Sequence, residues 1–237
     1  MKNFKLLGFI LFLVFVSTLF YFYLRNKSVD FKNDKTTINY IRNNFDTSSI
    51  NYFKEIAFSA EFNEKIDYLM KWNKDTIYVF IAGNPSITDS LNLEDHINTL
   101  NDILLSTKLK ICNNKFDADI KVYYLSKSEA MVKFENFSSY NRGLFQVYCN
   151  LRKEIINADV IISISESAQI RRETLLEELT QSLGLMDDSE THIESLFYND
   201  FKFNRFLSKT DIDLIKILYN SGIKSGVTKK EFSEVFK

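Results

Sequence analysis

Apolar and polar positions follow three rhythms along the chain. Residues 6–24 (LLGFILFLVFVSTLFYFYL) form an uncharged run between Lys5 and Arg25. As a helix it would rise about 28 Å, close to the ~30 Å hydrocarbon core of a bilayer. Tyr21 and Tyr23 stand at its end, where rings suit an interface. No small-x-small cleavage site follows, and no Cys lies near, so a cleaved signal and a lipidated Cys are both disfavoured. The run predicts an anchor over residues 1–24 whose transmembrane helix makes the membrane a partner. A short N-terminal tail usually stays inside while long domains translocate. The expectation is a single-pass protein of the inner or cytoplasmic membrane, with its domain on the periplasmic or extracellular side.

After the run, the pattern breaks and then recovers. Residues 25–47 are rich in Asn, Lys and Asp and read as a polar spacer. Residues 48–71 show helical spacing, with Ile50, Phe53, Ala57 and Ala60 followed by Ile66, Leu69 and Met70, and Trp72 ends the segment. Residues 76–82 (TIYVFIA) predict a strand closed by Gly83–Asn84–Pro85. Residues 89–108 predict an amphipathic helix with Leu93, Ile97, Leu100 and Leu104 on one face. Strands are predicted over 118–125, 143–149 and 158–165, and helices over 168–184 and 210–219. Helices interspersed among strands predict one α+β domain with a mixed sheet, spanning residues 48–237.

Composition narrows the chemistry. With 45% hydrophobic and 26% charged residues the chain can build a core. Thirty Lys+Arg against 31 Asp+Glu give a net charge of −1, which argues against a nucleic-acid partner. The two histidines, His96 and His192, are too far apart for an H-E-x-x-H pair and too few for a three-histidine site. His96 falls within a predicted helix and is expected to be exposed or half-buried. Two cysteines, Cys112 and Cys149, exclude a four-cysteine zinc site and leave open either a disulfide or two thiols.

The informative stretch is ETLLEELTQSLGLMDDS, residues 173–189. Glu177 and Gln181 are one turn apart on a helix and share a face, with Glu178 on the flank. Gly184 can turn the chain there, so that Leu185 enters the core and Asp187, with Asp188 beside it, returns toward that face. The pattern E-E-x-x-Q-x-x-G-L-x-D-D-S resembles the matrixin branch of the metzincins, H-E-x-x-H-x-x-G-L-x-H-S. On that resemblance Glu177, Gln181 and Asp187 occupy the three metal-ligand positions, and Glu178 that of the general base. Residues 194–199 (ESLFYN) are similar to the Met-turn segment, with Phe197 at the Met, and residues 207–219 to the closing helix. A wider resemblance, over about residues 52–226, is to a bacterial family of exported proteins and lipoproteins, the domain of unknown function numbered 2927. It shares an E-E-L-T-Q-x-L-G-L-x-x-D-S segment and a Trp matching Trp72.

These resemblances imply a zincin fold: a mixed sheet, an active-site-type helix and a C-terminal helix, preceded here by the membrane helix. They also imply a degenerate zinc site. Glu, Gln and Asp make a hard-oxygen set, better suited to Ca²⁺ or Mg²⁺ than to Zn²⁺. No cofactor is therefore expected, with a bound divalent metal (Zn or Ca) as the alternative. His192, five residues past Asp187, could approach the site. Without metal, Glu177, Glu178, Asp187 and Asp188 would crowd their charges and raise one another's pKa, with Arg171 and Arg172 upstream to neutralise part of the field. Residues 158–165 match the edge strand over a metzincin site, which can pair with an extended peptide. The expectation is a membrane-anchored pseudo-metallopeptidase, not an enzyme. It would act as a binding or structural module for an extended peptide or an envelope protein. The alternatives are an active metal-dependent peptidase using Glu178 as base, and a structural protein with a solvated acidic helix face.

Overall fold

The structure, a computed structural model, describes residues 12–18, 30–59, 66–199 and 206–237. Ahead of the sheet lie a 3₁₀ turn Phe31–Asn33 and helices α1 (Lys35–Asn44) and α2 (Thr47–Ala57). The sheet and its crossovers follow as β1 (Lys71–Trp72), β2 (Thr76–Gly83), α3 (Ile87–Ile103), β3 (Lys108–Ile111), β4 (Ile120–Leu125), α4 (Lys127–Lys133), β5 (Gly143–Cys149), β6 (Glu154–Ser163) and α5 (Ala168–Gln181). Helices α6 (Lys209–Asn220) and α7 (Lys229–Val235) close the chain. Helix starts are written locally. Ser86/Asp89, Ser126/Glu129, Ser208/Asp211 and Thr228/Glu231 form reciprocal capping boxes at α3, α4, α6 and α7.

The expected transmembrane helix is corrected. Among the described residues no helix is long and apolar enough to cross a membrane. Of the 6–24 stretch only residues 12–18 are described, and they are helical and exposed. The other residues of that stretch lie outside the described ones. The anchor, the membrane as partner, and the placement in a cytoplasmic membrane with an outward-facing domain lose their support together.

The sheet is mixed. β3, β2, β4 and β6 are parallel neighbours in that order, β1 adds to the start of β6, and β5 runs antiparallel to β6. Alternation splits the sheet into two faces. Ile77, Val79, Leu109, Ile120, Val122, Tyr124, Val160 and Ile162 belong to the main core with residues of α3, α5 and α6. On the other face, among the described residues, α4 and its following loop cover one end, through Leu125, Ala130, Phe134, Phe137, Leu144 and Ile161.

Several boundaries move. The helix expected over 48–71 stops at Ala57, and Trp72 belongs to strand β1, paired to Ile155. The polar stretch 25–47 holds α1, capped by Asp34 accepting from the Thr37 amide. Phe31, Ile38, Ile41 and Phe45 from it are buried in the core. Phe31 stacks on Phe232 of α7 at 5.9 Å, and Phe53 and Phe58 lie 5.5 and 5.3 Å from the same ring. This aromatic knot joins the N-terminal helices to the C-terminus. β6 has β4 on one side and β5 on the other, so it is interior, and β5 is the edge strand. His96 is buried, and its Nε2–H donates to the Arg172 carbonyl at 2.8 Å. Burial holds its pKa below the usual imidazole range. Both cysteines are free.

Candidate functional site

Helix α5 carries the acidic motif. It starts on Ser167, whose hydroxyl accepts from the Ile170 amide, and ends at Gln181. Leu175, Leu176 and Leu179 bury one side. At the end Leu183 and Gly184 tighten the chain through bonds to the Thr180 and Gln181 carbonyls. Gly184 has φ +118°, and a Cβ there would lie 2.2 Å from the Met70 carbonyl oxygen. Leu185 and Met186 then sink into the core, and the Met186 and Asp187 amides both donate to the Ile56 carbonyl. The turn thus crosses the end of α2 before it returns toward α5.

The return brings Asp188, not Asp187, against the motif. Gln181 is buried and donates from Nε2 to Asp188 Oδ1 at 3.2 Å. Glu177, one turn earlier, feels the same carboxylate. Burial, then Asp188, pushes its pKa up to about 8, with Arg142 opposing. Glu178 is buried on the flank and packs on the edge strand. A Cβ added to Gly143 would meet Thr174 Cγ2 at 2.4 Å and Glu178 Oε1 at 2.6 Å. Gly143 therefore lets β5 approach α5 this closely. Asp187 turns the other way, toward the Ser59 hydroxyl, Glu55 and Lys229, and burial raises its pKa. His192 is committed to α2. Its ring stacks on Tyr52 at 3.8 Å and 25°, with Nδ1 2.8 Å from the Thr191 hydroxyl. Arg171 and Arg172 serve α3 instead of the acids, pairing with Asp89 (2.9 Å) and Asp95 (2.8 Å).

The donor set does not fit a metal. Gln181 presents an N–H to Asp188, Asp187 faces another helix, and the chain has no histidine at positions 177, 181 or 187. Among the described residues no group of three or more His, Cys, Asp or Glu could hold a metal ion. The reading of Glu177, Gln181 and Asp187 as a ligand trio, and of a metal-dependent peptidase built on it, lacks this geometry.

Behind the site a second network fixes the loop that follows. Asp211 is fully buried and accepts from the Ser195 hydroxyl (2.6 Å), the Leu196 amide (3.0 Å) and the Ser208 amide (2.8 Å). Tyr52 donates to Ser195 Oγ at 2.7 Å, and Phe197 is fully buried beside it. Asp211 lies in the stretch similar to the closing helix, and its signal in the sequence is an S-x-x-D capping box ahead of an apolar run. Asp211→Ala is expected to cost about 3–5 kcal/mol, because it strands several buried donors. Denaturant unfolding measures it, with amide exchange over residues 189–199 rising in parallel. A loss below about 1 kcal/mol would show that water satisfies those donors.

Among solved structures the chain is loosely similar to two of myroilysin. One gives a TM-score of 0.43 at 10% identity, covering 63% of this chain and 86% of that one. The other gives 0.42 at 12%, covering 63% and 95%. High choriolytic enzyme 1 (HCE-1), a hatching enzyme zinc-protease from Oryzias latipes (Medaka fish), gives 0.39 at 13%, covering 63% and 94%. No curated protein sequence matches. A family match, in contrast, takes in residues 46–237, from the start of α2 through the acidic motif to the last residue. The chain belongs to the family described as "Protein of unknown function (DUF2927)".

Proposed function

We propose that residues 48–237 form a metzincin-like domain that has exchanged metal chemistry for binding, and that its ligand is an extended segment of another protein laid along the outer edge of β5. The observation that carries this is the edge itself. β5 (GLFQVYC) has no charged residue and no Pro, and it pairs only with β6 among the described residues. Sheet edges are usually blunted by such residues, as Lys108 and Lys110 do on the opposite edge strand β3. An unblunted edge offers main-chain donors and acceptors to an incoming strand. Glu178 and Arg142 lie where β5 begins, beside the first residue such a strand would meet.

The experiment uses the full chain purified without chelator and an array of immobilised peptides. Metal content below about a tenth of an ion per chain is expected, with peptide capture unchanged by EDTA and slowed amide exchange along β5 on binding. Stoichiometric metal, together with peptide cleavage that disappears in Glu178→Gln, would sink the proposal.

A further inference from the structure

The sheet face turned away from α3, α5 and α6 carries its own pattern. Two ranks of side chains cross it, perpendicular to the strands. The first is Phe80, Lys121, Asp159 and Gln146, which are register partners across β2, β4, β6 and β5. The second has Lys110 beside Tyr78 at one end and Asn157 beside Tyr148 at the other, with Asp119 between them, buried and accepting from the Tyr78 amide. Neighbouring strands lie about 4.8 Å apart, so the four-strand rank is roughly 14 Å long and the five-strand rank roughly 19 Å. α4 and its loop bound the ranks on one side and leave them open. Tyr78 is 42% exposed and Tyr148 44%. Lys133 reaches in from α4, its Nζ 3.5 Å from the Tyr123 ring centroid.

The chemistry of the ranks is mixed in a particular way. Rings stand among polar groups: the Tyr148 hydroxyl donates to Asp159 at 3.4 Å, and Lys121 donates to Asn157 Oδ1 at 3.4 Å. Both bonds are long and leave acceptor capacity for a ligand. Positive charge exceeds negative. Asp159 and Asp119 are the acids of the two ranks, and Asp119 is paired with Lys74; against them stand Lys110 and Lys121, with Lys133 beside them. Burial lowers the pKa of Lys133, and Lys115 and Lys121 add to this against Asp159, as crowded cations do.

From this arrangement we infer that the open sheet face binds an acidic polysaccharide. Its pyranose faces would lie on Tyr78, Phe80 and Tyr148, its hydroxyls would donate to Asp159, Asn157 and Gln146, and its carboxylates would meet Lys110, Lys121 and Lys133. A flat ring with an apolar face and a polar rim suits aromatic side chains flanked by amides. The charge excess selects a polyanion. A DNA-type phosphodiester chain fits less well, since its backbone has no hydroxyl to donate to Asp159. The site shares β5 through the side chains of Gln146 and Tyr148 but does not use the outer main-chain edge of that strand, and it does not depend on the binding role proposed for that edge.

Affinity electrophoresis of the full chain, in native gels holding polygalacturonate or neutral dextran, tests this. Retardation is expected with polygalacturonate alone, weakening as salt rises. Tyr78→Ala with Tyr148→Ala, and separately Lys110→Ala with Lys121→Ala, should each cut apparent affinity at least tenfold. Ile87→Ala, on an exposed face of α3, should leave it unchanged, and circular dichroism should show all variants folded. Equal migration in both gels would overturn the inference, as would retardation that survives both double variants. Competition by oligo-dT at equal affinity would overturn it by showing simple anion capture. A dimer that dissociates in Tyr148→Ala would overturn it by assigning the face to a second copy.

Discussion

Glu177→Gln is expected to stabilise the protein at pH 9 by about 2–4 kcal/mol and to leave it nearly unchanged near pH 4.5. The sign follows from where the proton sits. Burial on α5 and the Asp188 carboxylate raise the Glu177 pKa to about 8, above an ordinary value of 4.5. The folded protein therefore keeps a proton that the unfolded chain has released. The stability this contributes is fully present below pH 4.5 and is lost as pH rises through 8, at up to about 1.4 kcal/mol per pH unit. Gln is neutral at every pH and lacks that loss. Other raised acids, Asp159, Asp187 and Asp211, tilt the wild-type profile the same way, so the difference between wild type and variant isolates Glu177. Urea unfolding between pH 4.5 and 9 measures it. A variant that runs parallel to wild type would mean that water reaches the Glu177 carboxyl and holds it in its ordinary range.

That pair of acids also shows where sequence reading stops. β2 and β5 were legible because each is a short apolar run bounded by Gly, and α5 because Ser167 and a leucine stripe announce it. Gathering Glu177, Gln181 and an aspartate followed from helix spacing and a Gly turn. Which of two adjacent aspartates returns did not, because it depends on the Met186 and Asp187 amides finding Ile56, a residue on another helix. The identity of the edge strand is hidden for a similar reason. Pairing order in a sheet is non-local, and the fully apolar stretch of β6, which resembled an edge only by analogy, is the pattern of an interior strand. α1 was hidden by its composition: KTTINYIRNN buries Thr37, Ile38 and Ile41 but is otherwise polar. The burial of His96 is written in helical spacing, for it sits three residues after Leu93 on the buried stripe.

The turn that delivers Asp188 rests on one glycine, and Gly184→Ala is expected to cost at least about 3 kcal/mol, enough to unfold a marginal domain at physiological temperature. Two terms add. At φ +118° an L side chain is strained by about 1 kcal/mol or more. Its Cβ would also stand 2.2 Å from the Met70 carbonyl oxygen, a backbone atom that cannot swing away, with Leu218 Cδ2 at 3.4 Å behind it. Relief would have to come from moving the chain between α2 and β1 or the turn itself, and either movement draws Leu185 and Met186 out of the core. Gly222 separates the two terms. Its φ is +85°, but the nearest atom to its Cβ would be the Thr37 hydroxyl at 3.2 Å. Gly222→Ala should therefore cost about 1 kcal/mol, the conformational part alone. Guanidinium unfolding of both variants compares them directly. Equal losses would show that strain, not the Met70 contact, governs the turn, and that the end of α5 can shift without releasing the acidic site.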